Sequence, residues 1–538
     1  MQAFASSPFF AARAVSALVL CATAALAQDL QFIALPPPAS PRDLLFNPIS
    51  NKLYTANTPE LGMPPAESVT IIDGATNTVI TTLDMPAGSR DFCLNTQANK
   101  VYVANYFADT VTVIDGVTNQ VLATIPAGDG PRALCYNSQD NRIYCANEYT
   151  GTVTVIDGAS DAVVATVAVG STPRVICYNP ISNKIYCPNA GSQSVSVIGG
   201  ATNTVVATVP VGNVPRGILF NPQSNRVYCS NYSSDTVSVI DGITNAVVAT
   251  VPVGDGPTAM GHNPIGNKVY VSNVGAPGPG SPAACTVSVI GGASNTVMAT
   301  LAAGDEPTAF AFNSVDGNMY WVNEWSHTLA VVDAASDTQE LLVPLGTGLV
   351  QPVDLACNSI TGFVYTANRQ TLNIGALSPS SVGIAFCLGD GSGVSCPCGN
   401  NAAAGAVTGC LNSLGSGARL VANGAASIAT DGLVLGGSGM PNSYALYFQG
   451  TGQVAAGSGA TFGDGKRCAG GSVTRLGTKL NANGASSYPA VGEISISVRG
   501  AVPAGATRHY QAWYRNAAAF CTPGTFNLTN GVAVTWVP

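Results

Sequence analysis

PRALCYNSQDNRIYCANEYTGTVTVIDGASDAVVATVAVG, from Pro131 to Gly170, holds four short apolar runs separated by turn residues. PRALCYN reads as a first strand, SQDN as a turn and RIYCAN as a second strand. GTVTVI is a third, alternating strand. Asp-Gly then opens a hairpin turn, and AVVATVAV forms a fourth strand. Apolar residues on both faces of the middle runs suit a sheet packed on two sides. Helical periodicity is absent.

The same unit recurs. A hydrophobic–Tyr–x–x–Asn element ends at Asn57, Asn105, Asn147, Asn189, Asn231, Asn273, Asn323 and Asn368, and the central copies are 42 residues apart. A period near forty with four strands per unit is the pattern of a β-propeller, whose sheets bury both faces only by stacking in a closed ring. First strands begin near Arg42, Arg90, Arg132, Arg174, Arg216, Thr258, Thr308 and Val353. Eight four-stranded blades are therefore expected, with seven as the alternative if a terminal unit packs outside the circle. The last unit lacks a fourth strand, and a lone apolar run at residues 29–35 can supply it from the N-terminus. Insertions at residues 59–67 and 275–285 are expected to be loops.

The expected organisation is a signal peptide over residues 1–27, the propeller over 28–378 and a smaller module over 379–538. Arg13, an apolar core from Ala14 and the Ala25-Leu26-Ala27 site resemble a cleaved secretory signal. A membrane anchor is the weaker reading because that run is short, and bulky Leu20 argues against lipidation at Cys21. No later segment is apolar enough to span a bilayer. The expected location is secreted, periplasmic or at a bacterial cell surface. With 29 acidic against 21 basic residues, net charge −8, the surface would repel phosphate backbones, so nucleic acid is not an expected partner.

Beyond Cys21, fourteen cysteines remain, eight in the repeats and six after residue 386. In an exported chain these point to disulfides rather than metal. First strands carry Cys93, Cys135 and Cys177; second strands carry Cys145, Cys187 and Cys229. Pairing each first strand with the next unit's second strand gives a ladder of Cys93–Cys145, Cys135–Cys187 and Cys177–Cys229. The alternative is that these thiols pack as small apolar side chains. Cys285 and Cys357 have no obvious partner. Cys387, Cys396, Cys398, Cys410, Cys468 and Cys521 are disulfide candidates whose pairing stays open.

VYVAN followed by TVTVIDG and TNQVLATIPAG resembles the YVTN-type β-propeller repeats of exported, surface-layer-like proteins, over roughly residues 40–375. The resemblance implies a propeller with an extracytoplasmic role, commonly binding or scaffolding, and no particular reaction. Past residue 380 the period ends. FCLGDGSG at Phe386, CPCGN at Cys396, FGDGKRC at Phe462 and YQAWYR at Tyr510 mark a Gly-rich, all-β region expected to be sandwich-like. The order of these phrases resembles a C-terminal module of Planctomycetes-type secreted proteins, which implies location rather than mechanism.

Catalytic motifs are missing. There are only three histidines, His262, His327 and His509; His262 and His327 lack metal-ligand neighbours at useful spacing, and there is no C-x-x-C-H, G-x-S-x-G or H-E-x-x-H. The Gly-Asp-Gly turns at Asp390 and Asp464 lack a calcium-loop pattern. Neither cofactor nor metal is implied. One constellation stands out: Arg42, Arg90, Arg132, Arg174 and Arg216 enter the innermost strand of five successive units. The spacers after the second strands open on the same face and carry Tyr106, Glu148, Tyr149, Tyr232, Glu324 and Trp325. Arginines ringed by aromatics suit a carboxylate, a sulfate or a sugar-rich polymer. Otherwise each Arg bonds a loop carbonyl or pairs with Asp43, Asp91 or Asp129. The expected function is a non-enzymatic binding or scaffold protein for an extracellular ligand, polysaccharide or protein. A lactonase- or lyase-like enzyme and a surface-layer component are the alternatives.

Overall fold

The computed structural model describes residues 30–536, apart from 38–39, 59–66, 276–284, 380–382, 392–393, 404–405, 425, 427, 429–430, 491, 517–521 and 523. The expected signal peptide, most of both expected loop insertions, and Cys521 fall outside the described residues.

Eight four-stranded antiparallel sheets follow one another along the chain. Blade 3, for example, runs Pro131–Asn137, Arg142–Asn147, Thr152–Asp157 and Val163–Ala168. Contacts between first strands of successive blades place those strands around the axis, and Pro41–Asn47 of blade 1 touches Pro352–Cys357 of blade 8. The ring is closed. Leu30–Ala34 pairs antiparallel with Asn373–Leu377, so the chain's first described strand is the outer strand of its last blade. Ile33 and Leu35 are buried against the core between blades 8 and 1.

The repeated residues explain why the blades stack. Tyr102 Oη donates to Asp161 Oδ1 (2.6 Å), Tyr144 to Asn203 Oδ1 (2.7 Å) and Tyr186 to Asn245 Oδ1 (3.2 Å), each in the next blade's outer hairpin. Those turn residues have φ near +55°, a conformation Asn and Asp tolerate better than other side chains. The Asn closing each first strand also reaches forward: Asn95 Nδ2 donates to Asn141 Oδ1 (2.9 Å) and Asn137 to Asn183 (2.9 Å). Across the seam Tyr365 donates to Asn77 (2.7 Å) and Asn358 to Asn51 (3.1 Å). Closure therefore reuses the ordinary blade-to-blade bonds.

The Asn of each Tyr-x-x-Asn element works within its blade. Asn147 Nδ2 donates to Thr152 Oγ1 (3.0 Å) and Thr154 Oγ1 (2.9 Å), tying the second strand to the third. Its equivalents Asn105 and Asn231 do the same. These Asn side chains thus hold hydroxyls of the third strand.

The disulfide ladder is corrected. Cys93, Cys135, Cys145, Cys177, Cys187 and Cys229 are free thiols, as are Cys285 and Cys357. The supposed partners do meet in pairs: Cys93 with Cys145, Cys135 with Cys187, and Cys177 with Cys229 each share one inter-blade apolar cluster. Adjacency was right and the bond was not. Cys145 Sγ points along its own strand to Asn147 Oδ1 (3.7 Å), and Cys229 likewise to Asn231 Oδ1 (4.0 Å). They pack as small apolar side chains.

In the C-terminal region the disulfides are present. Cys387 bonds Cys468 and Cys396 bonds Cys410, and Cys398 is also disulfide-bonded. The strands Tyr444–Gln453, Ala469–Leu480, Thr507–Arg515 and Gly531–Thr535 belong to a six-stranded sheet. One face of it forms a separate core with Trp536 and the three-stranded sheet that includes Arg419–Asn423. Among the described residues no helix is long and apolar enough to cross a membrane.

Candidate functional site

Each inner strand enters through a loop whose backbone bonds the spacer after that blade's second strand. In blade 3, Glu148 N donates to Gly130 O (2.8 Å) and Tyr149 N to Asp129 O (3.1 Å). Gly130 has φ +71°, and a Cβ there would lie 2.8 Å from the Tyr149 ring, so the loop passes beneath the tyrosine only as glycine. This coupling brings inner-strand arginines and spacer residues onto one face.

Arg42, Arg90, Arg132 and Arg174 line a single cavity of about 350 Å³ at the axis, together with Glu324, Arg369 and Asp91. Arg216 does not join them. It is exposed and stacks on Tyr232, with its guanidinium carbon 3.6 Å from the ring centroid. Arg90 stacks on Tyr106 (4.2 Å), a buried residue whose hydroxyl donates to Glu148 Oε2 (2.9 Å) and meets the Tyr149 hydroxyl (2.7 Å). Tyr149 itself is exposed. Trp325 lies off the cavity wall and donates its indole N–H to Glu306.

The arginines divide by partner. Arg132 Nη1 and Arg174 Nε both pair with Glu148, at 2.8 and 2.7 Å. Burial opposes the Glu148 charge, but Arg132, the Tyr106 hydroxyl and Arg174 outweigh it and hold its carboxyl below the usual range. Arg42 and Arg369 form no ion pair among the described residues. The Arg42 Nε is buried without a hydrogen-bond partner. Burial, then Arg369, then Arg90 pull the Arg42 pKa down to about 10, which still leaves a full cation at neutral pH. Burial and Arg132 lower that of Arg90 as well. Glu324 is shifted up by burial and by Glu306, against the pull of Arg369 and Arg42.

Beneath the arginines lies an acidic layer. Asp354, Asp43 and Asp91 occupy the third inner-strand position of blades 8, 1 and 2. Each reaches the next blade: Asp354 accepts from Leu44 N (2.8 Å), Asp43 from the Phe92 backbone and Asp91 from Leu134 N. Enclosure dominates their acidity. It raises Asp91 to about 7 and Asp354 to about 6, and lifts Asp43 well above its ordinary value with help from Asp354 and Asp91. None of the arginines pairs with Asp43 or Asp91.

Arg369 and the acidic layer were missed from sequence. Arg369 directly follows Asn368, the blade 8 equivalent of Tyr106, Glu148 and Glu324, so the spacer rule pointed to it. The Asp residues were visible in PRD, SRD and PVD at matched positions. Among the described residues no cluster of His, Cys, Asp or Glu could hold a metal. His262 Nε2 is buried without a partner, and His327 Nδ1 accepts from Gln351 N (3.2 Å).

No curated protein matches the chain. A solved chain described as Kuenenia stuttgartiensis hydrazine synthase is similar at 17% identity and TM-score 0.45, over 55% of this chain and 96% of that chain. Residues 62–180, within the propeller, match the model of the family described as YNCE-like beta-propeller.

Proposed function

We propose that this chain is an exported binding protein whose propeller captures an anionic ligand, a carboxylate- or sulfate-bearing molecule or polymer, at the axial arginine cavity. The observation that carries this reading is the crowding of Arg42, Arg90 and Arg369 on one cavity with no carboxylate paired to them among the described residues. Such crowding costs folding free energy and is relieved when an anion enters, so it is hard to account for as scaffolding. Export is supported by the disulfides, which persist in oxidising compartments. The enzymatic alternative would draw on Asp91, Asp43 and Asp354, but these carboxyls are engaged by neighbouring backbone amides.

Arg132 and Arg174 are poor choices for a test, since removing them strands buried Glu148. The informative variant is Arg42→Ala/Arg90→Ala/Arg369→Ala, titrated calorimetrically with inorganic sulfate and with oligogalacturonate. The expected result is at least a tenfold loss of affinity with an unchanged or higher melting temperature. Wild-type binding should also weaken as salt rises. Equal affinity in the triple variant and the wild type would overturn the assignment.

A further inference from the structure

A second site lies in the C-terminal module. Along Tyr444–Gln453 and Thr507–Arg515, alternate residues Ala445, Tyr447, Tyr510, Ala512 and Tyr514 enter the core. The opposite face of an antiparallel sheet is ordinarily polar. Here Leu446 sits opposite Trp513, Trp513 opposite Leu528, and Arg515 opposite Phe526. Phe448 lies opposite Arg475 on the neighbouring strand. Phe462, 41% exposed, comes from a separate hairpin, and its ring centroid is 5.1 Å from that of Phe526. The Trp513 and Phe526 rings are 5.6 Å apart. Together these side chains wall a groove of about 540 Å³, within the size range of small-molecule sites.

The charge on this groove has one sign. Arg467 and Arg475 line it, and Arg515 lies 5.8 Å from the centre of the Trp513 ring. Arg467 Nε donates to Ala469 O (3.3 Å), and none of the three forms an ion pair among the described residues. Among the described residues, every polar side-chain group on the wall, the Trp513 indole included, is a donor, and no side chain there accepts. A neutral sugar, whose hydroxyls donate as well as accept, would leave its own protons unmatched on such a wall. An apolar body ending in a carboxylate matches both halves: rings and aliphatics for the body, guanidinium groups for the head.

We infer that this groove binds a small amphiphilic carboxylate, an alkyl chain or ring system with one anionic head. The site is independent of the propeller mouth.

The full chain is titrated with octanoate and decanoate, below their micelle concentrations, and with decylammonium, which has the same tail and the opposite charge. Decanoate should bind more tightly than octanoate by roughly tenfold, because each buried methylene tightens binding about three- to fourfold. Arg467→Gln/Arg475→Gln should weaken decanoate at least tenfold at unchanged melting temperature. Trp513→Ala should erase the chain-length dependence, and if that variant does not fold, Val473→Glu, which puts an anion on the exposed rim, should weaken decanoate instead. The propeller variant Arg42→Ala/Arg90→Ala/Arg369→Ala should still bind decanoate, which separates failure of one site from failure of the other. Decylammonium binding as tightly as decanoate, oligogalacturonate or a poly-glutamate peptide displacing decanoate from the groove, or no decanoate binding at all would each overturn the inference.

Discussion

The propeller and the C-terminal module are both built from short antiparallel strands, but neighbouring parts are joined by different means. Between blades the joints are side-chain hydrogen bonds repeated at one register, such as Tyr144 to Asn203 and Asn137 to Asn183. The thiols in those interfaces stay reduced. The module has no repeat to multiply a good contact. There Cys387–Cys468 ties the ends of two strands together across 81 residues, and Cys396–Cys410 closes a loop within one long connection. A contact repeated around most of a closed ring substitutes for covalent ties. A contact that occurs once does not.

Reduction is the test with the largest expected effect. Dithiothreitol should destabilise the module by about 2–5 kcal/mol for each bridge lost, and leave the propeller unchanged. Hydrogen exchange resolved by peptide separates the two regions. Protection should collapse around residues 387–410 and 468, and persist across 100–300. Loss of protection in blades 2 to 5 on reduction would break the comparison, because it would mean that Cys93, Cys135 and Cys177 are bonded to their neighbours after all.

A smaller effect sharpens the propeller's half. Asn147→Ala removes donors to Thr152 and Thr154 inside a fully buried site, which should cost about 1–3 kcal/mol in urea denaturation. The same change at Asn231, two blades away, should cost a similar amount and add to the first. Unequal or strongly non-additive costs would show that the repeat's copies are not energetically alike.

The propeller was legible because its information is periodic. Blade number, strand order and the N-terminal closing strand all follow from where Tyr-x-x-Asn recurs and where a fourth strand is missing. The mouth was half legible: the arginine row placed Arg42, Arg90, Arg132 and Arg174 on one cavity, but could not show that Arg216 turns aside onto Tyr232. Nor could it show that Glu148 engages two of the four, since partner choice depends on side-chain reach rather than spacing. Cysteine adjacency was readable from the offset, while bonding depends on thiol direction, which register does not encode. The module's groove was invisible, because Trp513, Phe526 and Phe462 come together only through non-local strand pairing.

The smallest expected effect concerns the acidic layer, and it also separates the two regions. Asp43, Asp91 and Asp354 have folded-state pKa values raised by enclosure, so between about pH 4 and 7 the native propeller holds protons that the unfolded chain has released. Stability must then fall as pH rises through that window and level off above it. In the module Glu493 is shifted the other way, held down by the Ala490 amide and Lys479, and contributes stability that is lost as pH falls through its lowered value. The melting temperature of the propeller should thus be higher at pH 5 than at pH 7.5. Asp43→Asn, which keeps the shape and a donor toward Asp354 but removes one ionisable group, should flatten that slope and raise the melting temperature at pH 7.5 relative to the wild type. A melting temperature that climbs from pH 5 to 7.5 in both proteins would mean that the three carboxyls are charged throughout, with the arginines above them acting as counterions rather than as a vacant anion site.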